Sequence, residues 1–140
     1  MLSSYWNGAA TYYRGILGAL AARGYAITFY EPDAFDRQKH RDIDPPDWCR
    51  AVVWPATEAG MRGVLAEAGA ADIVVKASGV GVFDRELLEG VVAQARPGAL
   101  RIFWDVDAAA TLDEMRADAD HPGRRALPQQ AQAQCGHQQG

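Results

Sequence analysis

Four short runs rich in β-branched and aromatic residues, 25–30, 50–54, 72–78 and 100–104, alternate along this chain with segments of helical period. That alternation is the strongest constraint on what the chain can fold into. A strand that leads through a helix to the next strand returns parallel to the first, and such strands are near-continuous in apolar residues because helices cover both faces. The expectation is an α/β fold of the Rossmann-like kind, with a mostly parallel sheet flanked by helices and right-handed connections. The 140 residues fit one domain. An apolar fraction of 49% is enough to fill its core.

The helices are read from period and punctuation. Tyr13, Ile16, Leu17 and Leu20 share one face of a helix expected over 9–23, with Asn7 as N-cap and Gly24 in the left-handed position after its end. Gly15 and Gly18 lie inside this helix, which makes sense where it packs closely against a sheet or a ligand. The first strand is expected to stop at Glu31-Pro32-Asp33, and 34–47 to be loop with one helical turn. A helix over 57–68 starts at Thr57 and faces Met61, Val64 and Leu65 inward. Another over 84–95 buries Leu87, Leu88, Val91 and Val92 and ends before Pro97-Gly98. Residues 79–82 read as a turn and 110–119 as a last short helix. The ordered domain is expected over 1–127. The Gln-rich stretch 128–140 has no apolar period and is expected to be disordered.

Composition excludes several classes. The net charge is −4 and the basic residues do not cluster, so no nucleic-acid partner is expected. No run of about 18 apolar residues exists, so no membrane span is expected. The two cysteines, Cys49 and Cys135, are far apart, which argues against a disulfide framework or a zinc site. The N-terminus lacks the basic and apolar regions of a secretion signal, and the chain reads as cytoplasmic.

Two segments carry a family likeness. The stretch Ser3-Ser4-Tyr5-Trp6-Asn7-Gly8, continuing to Tyr13-Arg14, resembles the opening loop and first helix of CgeB-like proteins, the spore-maturation-type glycosyltransferases. Phe103-Trp104-Asp105-Val106-Asp107, continuing to Thr111-Leu112, resembles a second segment of that family, with Ala109 where a proline is usual. The likeness spans about residues 2–127. It implies a GT-B architecture of two Rossmann-like lobes with the active site between them. The N-terminal lobe shapes the acceptor side and the C-terminal lobe holds the nucleotide sugar. On this reading the chain is the N-terminal lobe, cut short at both ends, with its first strand largely missing and the donor lobe absent. A nucleotide sugar and an acceptor would then be partners of the intact two-lobed parent only, and these residues alone would be inactive.

The candidate substrate-binding residues are Asn7, Gly8, Arg14, Ser78, Asp105 and Asp107; no catalytic residue is assigned, and no metal or cofactor is expected. Asp105 and Asp107 end a strand, where open α/β sheets bind ligands. They could line a cleft, hold a divalent cation, or simply cap the next segment. Asn7 and Gly8 open a helix whose N–H groups could meet a phosphate or a sugar, or merely be capped. Arg14 lies on that helix and could reach an anion or stay solvated. Ser78, before Gly79-Val80-Gly81, could bind a polar group or form a tight turn. As a nucleophile Ser78 would need a histidine, and His40, His121 and His137 all read as loop or tail. Glu31 could bind a ribose or serve the turn. Trp6 is the aromatic residue expected nearest a ligand, among Trp48, Trp54, Trp104 and Tyr12. Two further readings stand beside the glycosyltransferase one. One is a non-catalytic module that pairs a partner through an unfilled sheet edge; the other is a degenerate, non-functional product.

Overall fold

The apolar runs become strands and the periodic segments become helices in the computed structural model, which describes residues 2, 8–78, 81–105 and 108–126. The expectations for Trp6, Asn7, Gly79, Val80, Asp107 and the stretch 128–140 lie outside the described residues. The chain is α/β, with short parallel sheets flanked by helices. It divides into two compact units, Met1–Met61 and Arg62–Gly140.

The first unit holds α1 (Gly8–Ala21), β1 (Ile27–Asp33), a 3-10 turn (Arg37–His40), β2 (Cys49–Pro55) and the start of α2 (Glu58–Ala68). β1 and β2 pair in parallel, from Ile27 opposite Cys49 to Asp33 opposite Pro55. Tyr13 of α1 is buried, its ring centroid 6.0 Å from that of Phe29. Gly18 lets the helix approach an aromatic ring: a Cβ there would stand 3.4 Å from Trp48. Gly15 has no such neighbour; nothing lies within 4 Å of its Cβ position. The helix ends two residues earlier than its period predicts. Arg23 N–H donates to Leu20 O and Gly24 N–H to Ala21 O, both at 2.9 Å, which tightens the last turn before Gly24 at φ 91°.

β1 does not stop at Glu31-Pro32-Asp33, as expected, but runs through all three. The reason is its place at an edge. A proline removes one ladder donor, and an edge strand tolerates this where the missing N–H would face away from its partner. Phe35 and Asp36, both left-handed at φ 57° and 53°, then turn the chain into the 3-10 turn.

The second unit holds most of α2, then β3 (Ile73–Ala77), α3 (Asp84–Gln94), β4 (Leu100–Trp104), α4 (Ala108–Ala117) and α5 (Pro122–Ala126). β3 and β4 are parallel, with Ile73 opposite Leu100 and Lys76 opposite Phe103. Val64, Leu65, Val74, Leu88, Val91 and Met115 are buried. Glycines bring the backbones together. A Cβ on Gly69 would lie 2.5 Å from Gln94 O, and one on Gly90 would collide with the Leu65 side chain. Of the four residues expected inward on the helix over 84–95, Leu88 and Val91 are buried, while Leu87 and Val92 are half-buried.

The alternating pattern predicts one sheet. The described strands instead pair as two sheets of two, β1 with β2 and β3 with β4, and no further described strand joins them. The sequence gives no sign of α5; at five residues it is too short to show a helical period.

A polar cleft at the carboxyl ends of two parallel strands

In a parallel sheet each strand hands over to its helix at the same edge, and the loops there leave a crevice. β3 leads to α3 and β4 leads to α4, so both handovers fall at one end of this sheet. A cleft of about 590 Å³ opens there. β3 contributes Lys76, and Ser78 just beyond it; β4 contributes Phe103. α3 supplies Asp84, Arg85 and Leu88 from its first turns. α4 adds Thr111, Glu114 and Ala117, followed by Asp118, His121 and Pro122.

The polar groups are held in place. Lys76 Nζ pairs with Asp84 Oδ1 at 2.8 Å and donates to the Ala77 carbonyl at 2.6 Å. Gly81 leaves room for that carboxylate, since a Cβ there would stand 3.0 Å from Asp84 Oδ1. Phe83, just before α3, is left-handed at φ 58°. A bulky residue in that region is strained, and such strain concentrates at functional sites. Ser78 N–H donates to Trp104 O at 2.8 Å, extending the ladder by one residue and fixing the Ser78 backbone. Arg85 reaches Glu89 at 3.3 Å and Asp118 at 3.5 Å. His121 Nδ1 accepts from Gly123 N–H at 3.1 Å. The neutral imidazole therefore carries its proton on Nε2 and offers a donor there.

Four of the six sequence candidates, Gly8, Arg14, Ser78 and Asp105, are among the described residues. Ser78 lines the cleft. Asp105 follows β4 with its Oδ2 fully buried, but it is not among the lining residues. Gly8 is the exposed first residue of α1, in the other unit. Arg14, also in that unit, donates to Leu2 O, and to Asp44 O at 3.0 Å. Asn7 and Asp107 are outside the described residues, so neither can be set against the cleft. Glu31 is 1% exposed; it accepts from Leu2 N–H at 2.5 Å and from Gln38 at 3.4 Å. Among the described residues, no three His, Cys, Asp or Glu side chains are grouped to hold a metal ion.

Sequence reasoning misses Lys76, Asp84 and His121. Lys76 sits inside an apolar run, and a charge there, eight residues before an aspartate that opens a helix, is the one available signal. His121 reads as a loop residue, yet it shares the cleft with Ser78. Fold and site together define an α/β protein with a polar cleft at the carboxyl edge of a parallel strand pair. Comparisons with protein-family models, with curated proteins and with solved structures find no match. No described helix is long and apolar enough to cross a membrane.

Proposed function

We propose that this chain is a Rossmann-like, acceptor-side lobe of a CgeB-like glycosyltransferase of GT-B type, and that its cleft binds a hydroxyl-rich ligand. The observation that supports this is the composition of the cleft. Ser78, Thr111 and His121 bring hydrogen-bond donors, while Asp84, Glu114 and Asp118 bring acceptors. Leu88, Phe103 and Ala117 add apolar surface. A sugar presents both faces of this chemistry, with hydroxyls that donate and accept around a ring of C–H groups. In a two-lobed enzyme such a wall orients the acceptor hydroxyl, and the rate gain comes from positioning it against a donor held by the other lobe. On this reading the cleft holds the acceptor sugar, and transfer calls on the donor lobe as well.

Saturation-transfer NMR with glucose, run on the 140-residue chain, tests this. The ring protons of glucose should receive saturation from the protein, and Ser78→Ala with Asp84→Asn should abolish the effect. Absence of transfer, or transfer that survives both changes, would exclude the cleft as a sugar site.

A second reading, a non-catalytic module that accepts an extended apolar strand from another protein, is favoured by the outer surface of β3 and β4. Both are edge strands of a two-stranded sheet. Ile73, Val75 and Leu100 are 38%, 43% and 55% exposed, and the register places Ile73 beside Leu100. Exposed apolar edges of this kind are templates for pairing. Sedimentation velocity separates the two readings. A concentration-independent monomer disfavours the strand acceptor, and association lost in Val75→Lys favours it.

A further inference from the structure

The charges around the cleft narrow its ligand, on the premise that the cleft is the sugar site proposed above. Among the described residues, the lysine and the arginine of its lining are both already paired. Lys76 is held by Asp84 at 2.8 Å and by its neighbour's carbonyl at 2.6 Å, and its side chain is only 11% exposed. Arg85 is shared between Glu89 and Asp118. The third carboxylate of the cleft, Glu114, lies exposed on α4 and has no ion-pair partner among the described residues.

To reach either cation, an incoming phosphate would have to break its pair and lie against the carboxylate it displaced, and the donors left to it, Ser78, Thr111 and His121, carry no such charge pair. A protonated amine has no such conflict and meets Glu114, which no described residue neutralises. We infer that the cleft selects a hydroxylated ligand bearing a cationic amine, such as an amino sugar, over its neutral analogue and over its phosphorylated one.

Three ligands with one ring, glucosamine, glucose and glucose 6-phosphate, test the inference. Each is titrated into the 140-residue chain near neutral pH and low salt, following the Ser78 and Thr111 amides by NMR. Glucosamine should bind about threefold tighter than glucose, as one partly exposed ion pair allows, and glucose 6-phosphate more weakly than either. The preference should vanish in Glu114→Gln and fade in about 0.5 M salt. Glu114 is exposed on its helix, so Glu114→Gln should leave the fold intact, with circular dichroism as the check. Equal affinity for glucose and glucosamine, tightest binding of the phosphate, or a preference that survives Glu114→Gln would overturn the charge selectivity while leaving the sugar site standing. If none of the three binds, the proposed function fails and the selectivity with it.

Discussion

Lys76 on β3 and Asp84 at the first position of α3 are joined by an ion pair of 2.8 Å that ties the strand to the helix after it. The two ends differ in exposure, with the lysine side chain 11% and the aspartate 45% accessible. Removing the carboxylate leaves a largely buried ammonium with one carbonyl for company. Asp84→Asn is expected to cost about 1–2 kcal/mol, less than a fully buried pair would because water reaches the aspartate. Urea denaturation measures this. A loss under about 0.3 kcal/mol would mean that the pair does not anchor the cleft.

The glycines make opposite predictions in two helices. A methyl on Gly60 would collide with the Pro55 carbonyl, a backbone atom that cannot swing away. Gly60→Ala is expected to destabilise by about 1–3 kcal/mol through overpacking. Gly15 lies exposed inside α1 with nothing within 4 Å of its Cβ position, so Gly15→Ala should stabilise by about 0.5–1 kcal/mol. Thermal melts of the two variants should move in opposite directions.

Arg14 and Glu31 hold the two backbone polar groups of one residue. Glu31 takes the Leu2 N–H, Arg14 donates to the Leu2 carbonyl, and Leu2 is fully buried. Side chains here do what a neighbouring strand would otherwise do for that peptide. Glu31→Ala should cost about 1–3 kcal/mol by leaving a buried N–H unsatisfied. Arg14→Met should lower the denaturation midpoint and leave sugar affinity unchanged. A variant of normal stability with weakened binding would return Arg14 to the role its sequence position invites.

Burial pushes the Cys49 thiol above its ordinary range, with the Glu31 carboxylate adding to the rise and a hydrogen bond from Phe29 opposing it. The unfolded chain then loses this proton at lower pH than the folded one does. Stability is unaffected by Cys49 at neutral pH and falls as the pH climbs past about 9. In a Cys135→Ser background, Cys49 should react slowly with a thiol reagent until the chain is unfolded. The alkaline loss of stability should shrink in Cys49→Ala.

How much of this is legible in the sequence depends on the range of the interactions. Thr57 reads as a cap, and its Oγ1 accepts from Gly60 N–H at 3.1 Å. Gly24 reads as left-handed, and it is. Both are decided within three or four residues. The extension of β1 through Pro32 is not legible, because it depends on β1 being an edge, which is a property of the sheet. Nor is the cleft. Lys76, Asp84, Glu114 and His121 come from three elements and a loop, and only the parallel pairing of β3 with β4 brings them to one edge. The contacts of Arg14 are hidden for a similar reason. Its partners, Leu2 and Asp44, lie 12 and 30 residues away, and no local pattern announces them.

If the carboxyl edge of β3 and β4 is where this chain meets a small hydroxylated molecule, a map of backbone amide shifts on adding glucosamine should show it most directly. The largest saturable changes are expected on Lys76, Ser78, Asp84, Thr111 and His121. Saturable changes confined to α1 and β1, with that edge silent, would contradict a binding site there.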